Sequence, residues 1–290
     1  MRTLTIALLL VVGLGGSAIY LIQRDLQAER GAFESVGAIM YLPSPARVKR
    51  FSLGFEGALA DLYWIRTLQY YGRRALRPGH RFDLLKPLLD LVTELDPQFV
   101  TAYRFGAVFL ALAPPAGPGQ PEAALSLLDR GIERNPDEWR LILDKGALYA
   151  WNMHDYEAAA RLFEQASHHR RAPAWVADLA AGMYTKAGRR DVARRIWQDR
   201  YEHGENEYIR RRAAWHLDCL RALEEVEHLQ RLLSQYRRQS GRWPRSWSEL
   251  IAVGLLARPP VDPRGYPYRL EPHTGRISLS KESPLVLPKL

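Results

Sequence analysis

Apolar side chains recur three and four residues apart along most of this chain, and the runs they form come in pairs. Leu59, Tyr63, Trp64, Ile65 and Leu68 give a broad apolar stripe to a run from Phe55 to Arg74. That spacing predicts an amphipathic helix, and the breadth of the stripe predicts that it is well covered. Arg77-Pro78-Gly79 stops it, and Leu84, Leu85, Leu88, Leu89, Leu91, Val92 and Leu95 carry a second run that ends at Asp96-Pro97. The alternation continues downstream. Leu95-Asp96-Pro97 and Arg134-Asn135-Pro136 each close an apolar run, and their prolines stand 39 residues apart. Pro114 to Gly119, rich in proline and glycine, reads as a loop between the two runs of one pair.

Within each pair, small and large residues alternate in register. Tyr103 precedes Gly106-Ala107, and Ala124, Leu128 and Gly131 follow in the next run. From Trp139, Gly146 and Tyr149 fill the same slots, followed by Tyr156, Ala159, Phe163 and Ala166. Ala177, Ala181, Tyr184, Gly188, Ala193 and Trp197 make a further copy, and Pro173 stands late for the proline of the copy before it. From Phe55 to Arg200 this pattern resembles the tetratricopeptide repeat, a helix–turn–helix unit of about 34 residues. The run pair from Phe55 to Pro97 is a degenerate first copy, with Thr67-Leu68 where Leu-Gly is expected.

The resemblance implies an all-α fold, a tetratricopeptide-like superhelix of antiparallel helix pairs in which each pair buries its apolar face on its neighbours. It also implies a concave wall lined by the first helix of each pair, on which family members grip peptides or partner helices. Carried over position by position, that wall offers Thr101, Arg104, Val108, Arg140, Trp151, Trp175, Asp178 and Lys186. A stretch from Asn206 to Ser240, continuous or broken once, carries Ile209, Ala213, Leu217, Leu220, Leu223, Val226, Leu229, Leu232 and Leu233 and reads as the covering helix of the stack.

Composition adds an anchor and removes several chemistries. Thr3 to Ile22 is 20 residues without a charge, long enough to cross a bilayer as a helix. A cleaved signal peptide competes with that reading, because Gly16-Ser17-Ala18 offers small residues at cleavage positions. The apolar run continues past them through Ile22, which favours an uncleaved anchor with the bulk of the chain exported to the periplasm of a bacterial inner membrane. The excess of Arg over Lys fits a GC-rich bacterial genome. The net charge of +9 divides into +1 for residues 1–23, +4 for 24–90, −4 for 91–156, +4 for 157–238 and +4 for the remainder. An acidic middle and the lack of a known motif argue against a nucleic-acid track. The single cysteine, Cys219, excludes an internal disulfide framework and a thiolate metal cluster, and reads as a buried core residue. No phosphate-binding glycine loop, nucleophile elbow or His-Glu-x-x-His is present, and adjacent His168-His169 point about 100° apart on a helix. The expectation is therefore no enzyme, no cofactor and no metal.

The last fifty residues change character. Gly241-Arg242-Trp243-Pro244 breaks the helix, Ser246 and Glu249 are spaced as a capping box, and Leu250 to Val253 followed by Gly254 completes a short helix. Pro260 to Gly265 reads as a turn, and Tyr266–Leu270 and Arg276–Ser280 as two strands of a hairpin. The run from Gly241-Arg242-Trp243-Pro244 to Asp262-Pro263-Arg264-Gly265-Tyr266-Pro267-Tyr268 resembles the soluble end of type II secretion pseudopilins and related type IV pilin-like proteins. It lacks the acidic cluster of a calcium-binding pseudopilin loop, and the N terminus lacks a pilin cleavage site. The organisation expected is an anchor over residues 1–23, a juxtamembrane connector over 24–54, a helical solenoid with its capping helix over 55–240, and a small α+β tail over 241–290. The function expected is a membrane-anchored scaffold that binds a protein partner in the cell envelope, in pilus or secretion-machine assembly. The alternative is an accessory structural subunit of a membrane enzyme or transport complex.

Overall fold

The computed structural model describes residues 44–75 and 81–287 of the chain, which divides into two compact units, residues 1–56 and 57–290. The apolar stretch over residues 3–22 lies outside the described residues. Among those that are described, no helix is long and apolar enough to cross a membrane.

Among the described residues, the first unit contains one short helix, α1 (Pro45–Phe51). Ser44 is extended before it, and its carbonyl accepts the N–H groups of Arg47 and Val48 at 2.9 and 3.1 Å. Proline at the first helical position costs no hydrogen bond there. Ser52 closes the helix through its hydroxyl, which donates to the Lys49 carbonyl at 2.7 Å. A tight turn follows in which the Phe55 N–H donates to the Ser52 carbonyl at 2.9 Å.

The second unit is mostly helical. Its first ten elements are α2 (Glu56–Ala75), α3 (Leu85–Leu95), α4 (Val100–Ala111), α5 (Pro121–Arg134), α6 (Trp139–Trp151), α7 (Tyr156–Ser167), α8 (Trp175–Lys186), α9 (Arg190–His203), α10 (Glu207–Ser240) and α11 (Trp247–Ala252). A two-stranded hairpin, β1 (Arg269–Glu271) and β2 (Arg276–Ser278), completes it. From α3 to α10 each helix packs on the next, and α4 also touches α6 across α5. The stack of neighbouring helices is the architecture that the paired apolar runs predict.

The small residues do what their placement suggests. A β-carbon on Gly146 of α6 would lie 2.7 Å from the ring of Phe163 on α7, and one on Gly131 of α5 would lie 2.9 Å from the ring of Tyr103 on α4. Each glycine thus admits an aromatic ring against bare backbone, and Phe163 and Tyr103 are almost wholly buried as a result. Polar side chains tie one pair to the next: the Asn135 amide donates to the Pro97 carbonyl at 2.9 Å and the Asn152 amide to the Ala111 carbonyl at 3.1 Å. These satisfy carbonyls at helix ends that would otherwise be orphaned.

Three sequence readings need correction, and one left open, the second below, is resolved. First, α2 is not well covered. Ala60, Thr67 and Tyr70 form its buried arc, whereas Leu62, Ile65 and Leu68 sit on other sides of the helix and are 43, 51 and 40% exposed. Second, α10 is unbroken over 34 residues, started by the Asn206 side chain, which accepts the Ile209 N–H at 3.0 Å. Third, Ser246 and Glu249 form no capping box. The Ser246 side chain makes no cap bond, and Glu249 instead accepts the Tyr236 hydroxyl at 2.7 Å and Arg242 at 2.8 Å, two partners that hold its carboxyl below the usual range. Fourth, the strands are shorter than the alternation suggests. Pro267 has no N–H to give a ladder, and Tyr266 and Pro267 pair back onto Val261 and Asp262.

Two cores share α10. Its first half joins Trp197 of α9 through Ala213, Leu217 and Leu220, and its second half joins Leu250, Tyr268 and Ile277 through Leu229, Leu233 and Tyr236. At the first seam the Trp197 and His216 rings stack at 3.9 Å with 7° between their planes. Burial, helped by the positive charge of Arg212, pushes His216 down from 6.5 to about 4. Between those values the unfolded chain binds a proton that the folded chain refuses, so stability falls as pH drops through this window. The expected loss is roughly 1–2 kcal/mol once partial solvent access is allowed for. Thermal denaturation at pH 7, 6, 5 and 4 should show a shallower decline for His216→Gln than for the native chain; parallel declines would remove His216 as the cause.

In the tail, Asp262 is buried and its carboxylate is fully occupied. It accepts the N–H groups of Arg264 and Tyr266 at 2.9 Å each, and also the Ser283 hydroxyl. The final described residues lie along α10, where Leu285 covers Cys219 and Ala222 and the Trp215 indole donates to the Pro284 carbonyl at 3.0 Å. Cys219 is buried, and burial pushes its thiol up.

Candidate partner-binding surface

The wall positions of the first helices recur at fixed offsets, and the residues that fill them differ in exposure. On α4 they are Thr101, Arg104, Phe105, Val108 and Leu112; 39 residues on, α6 presents Arg140, Leu143, Asp144, Ala147 and Trp151. A further 35 residues on, α8 presents Trp175, Asp178, Leu179, Gly182 and Lys186. Side chains link these rows. Arg104 on α4 reaches Asp144 on α6 with contacts of 2.5 and 3.3 Å, and Trp139 on α6 meets Trp175 on α8 edge-on at 6.4 Å.

Some apolar members of the rows are open, whereas Leu143, Ala147 and Leu179 pack against the core. Phe105 is 52% exposed, Val108 46%, Leu112 38% and Trp151 59%. Behind Phe105 lies an aromatic bed. Phe109 of α4 stacks on Tyr71 of α2 at 4.0 Å and on Trp64 at 6.4 Å, and Phe105 leans on Phe109 at 6.4 Å. Phe105 therefore stands on a rigid support, held out to solvent rather than free to fold inward.

The eight residues expected on the wall fare differently. Thr101, Val108 and Trp151 are open, and Trp175 is 46% exposed beside Trp139. Arg140 is spent largely on its neighbour Glu138, at 2.6 and 3.0 Å, and this pairing raises the Arg140 pKa and lowers that of Glu138. Arg104 is committed to Asp144, whose carboxyl burial pushes up against the opposing pull of Arg104. Lys186 rests over the Tyr156 ring at 5.3 Å. Asp178 is nearly enclosed, 2.6 Å from Arg200 on α9 and 3.9 Å from Arg212 on α10, so it braces the stack. Arg104, Asp144 and Asp178 thus join helices, while Phe105, Val108, Leu112, Trp151 and Trp175 are the open apolar members of the rows.

Phe105 and Leu112 did not emerge from the sequence as surface residues. Both were legible in principle, because Leu112 matches Trp151 and Phe105 matches Asp144 at the 39-residue offset. Their apolar character masked the match, since an apolar residue on an amphipathic helix reads as core.

A concavity of about 430 Å³ lies among α7, α8 and α9 and is lined by Glu164, His168, Arg195, Asp199 and neighbours. Glu164 there accepts the Tyr184 hydroxyl at 2.6 Å, and burial together with this carboxylate pushes Tyr184 up to about 12. Among the described residues no three His, Cys, Asp or Glu side chains converge to hold a metal ion. No family model matches this chain, and no curated protein matches it in sequence.

Proposed function

We propose that this chain is a membrane-anchored scaffold of the tetratricopeptide type, whose antiparallel helical pairs form a superhelix and hold a protein partner on the face of α4, α6 and α8. The observation that carries this reading is the set of exposed Phe105, Val108, Leu112 and Trp151, of which Phe105 leans on the aromatic bed and Trp151 matches Leu112 at the 39-residue offset. An amphipathic helix or extended peptide laid across such rows would bury those side chains, as helix-in-groove recognition does. Anchoring through residues 3–22 and a periplasmic location belong to the same reading, and the resemblance of the tail to pilin-like proteins supports a setting in pilus or secretion-machine assembly. The open apolar side of α2, with Leu62, Ile65 and Leu68, supports the second reading, an accessory subunit packed within a larger membrane complex. No catalytic role is assigned.

The test combines Phe105→Ser, Val108→Ser and Trp151→Ala in one chain. Partner recovered from gently solubilised membranes should fall by roughly thirtyfold or more, the loss typical of central apolar anchors. Helical signal and melting temperature should stay near native, because all three side chains are about half exposed. Unchanged recovery would remove this face from the reading. The identity of the recovered protein separates the settings: pilus or secretion components on one hand, stoichiometric redox or transport subunits on the other.

A further inference from the structure

The most exposed large apolar side chains described in this molecule are not on the helical stack. They are Phe51 at 77%, Leu53 at 86% and Phe55 at 69%, three alternate residues at the end of α1. The turn that carries them is built to present them. Ser52 is buried and pinned at its hydroxyl to the Lys49 carbonyl and the Glu56 carboxylate, and the Phe55 N–H closes back onto Ser52. Leu53 at the tip has φ of +51°, and Gly54 follows with φ of +90°. A leucine in the left-handed region is uncommon and costs of order 1 kcal/mol, and here that cost places an apolar side chain in full contact with water. Neither folding term explains the arrangement.

The charges of the segment complete the picture. Arg47, Lys49 and Arg50 lie between Ser44 and Phe55, with no acidic residue among those twelve positions. Lys49 and Arg50 are exposed. We infer that Ser44–Phe55 is a membrane-interface device: Phe51, Leu53 and Phe55 enter the boundary between headgroups and acyl chains, while Lys49 and Arg50 pair with anionic lipid phosphates. Apolar and aromatic side chains flanked by cations are the composition that settles at that boundary, about 5–10 Å deep. A fluid bilayer also suits the shape better than a protein surface does. The three side chains stand on alternate residues of a tight turn, and a fluid closes around a projection without needing a matching pocket. The inference goes beyond the scaffold reading. It concerns a different part of the chain and requires neither the rows on α4 and α6 nor a span at residues 3–22.

The experiment places an apolar fluorescent label on Leu53→Cys in a Cys219→Ser background of the full chain, with helical content checked. The protein is combined with vesicles of phosphatidylcholine alone or with added phosphatidylglycerol. Brominated lipids report contact with acyl chains, and iodide reports contact with water. With phosphatidylglycerol present, the label should be quenched by brominated lipid and shielded from iodide. Adding Lys49→Gln and Arg50→Gln should shift that balance towards water by roughly thirtyfold, the effect of removing two cations from an anionic surface. A label on Val286→Cys, 65% exposed in the tail, reports whether any shielding is general. Iodide access at residue 53 on anionic vesicles would overturn the inference. So would shielding from both quenchers, which would mean that protein covers the turn. Because the readout is the depth of residue 53, failure here leaves the partner-capture test of the stack untouched.

Discussion

Replacing Phe163 by alanine is expected to cost about 3–5 kcal/mol, the range for truncating a fully buried aromatic. The ring is inaccessible to solvent and lies among Ala159, Ala160, Ala180, Ala181 and Tyr184, residues from two helices, so the cavity left has no single neighbour able to close it. It also faces the bare backbone of Gly146, where nothing stands ready to fill the space. The reciprocal change, Gly146→Ala, should cost about 1–3 kcal/mol by forcing a methyl group against an immobile ring. The two positions share one volume, so their effects should not add. Gly146→Ala combined with Phe163→Leu is expected to be milder than the sum of the two single changes, by roughly 0.5–3 kcal/mol. Chemical denaturation of the four chains measures this. Strict additivity would mean that the ring and the glycine do not press on one another.

Trp197→Ala is the second large change, again of about 3–5 kcal/mol. Trp197 is 2% exposed and joins α9 to α10, so its loss opens the seam between the last helical pair and the long helix that covers it. A second readout separates this account from simple loss of bulk. His216 stacks on the same indole, and its depressed pKa arises first from burial. With the indole gone the imidazole gains water, and its titration, followed by NMR, should move from about 4 back towards 6.5. A destabilised chain in which His216 still titrates near 4 would show that the ring stack is not what shelters it.

The helices were legible because their signals are local: prolines at 97 and 136, the glycine and alanine slots, and runs of leucine at helical spacing. Stacking followed from the same residues, since Gly146 and Phe163 make sense only if two helices meet. Side-chain direction was not legible. Leu62, Ile65, Leu68 and Phe105 are apolar, so periodicity assigns them to a core, and only the positions of neighbouring helices show that nothing covers them. The roles of charged residues were hidden for a related reason. Asp178 sits at a wall position in the repeat pattern, yet Arg200 and Arg212 close on it from residues distant in sequence. Glu249 has capping-box spacing, but Tyr236 and Arg242 outcompete the local backbone. The tight turn at Leu53 had no sequence signal beyond Gly54, because its positive φ falls on the residue before the glycine.

The continuity of α10 carries a mechanical consequence. At 34 residues it is about 50 Å long, and both cores grip it at different heights. The tail that follows α10 is therefore not a bead on a string. No linker separates it from the stack, so its distance and bearing from Trp197 are fixed, and swinging it aside would require bending or melting a supported helix. Load applied at the hairpin arrives directly at the last helical pair.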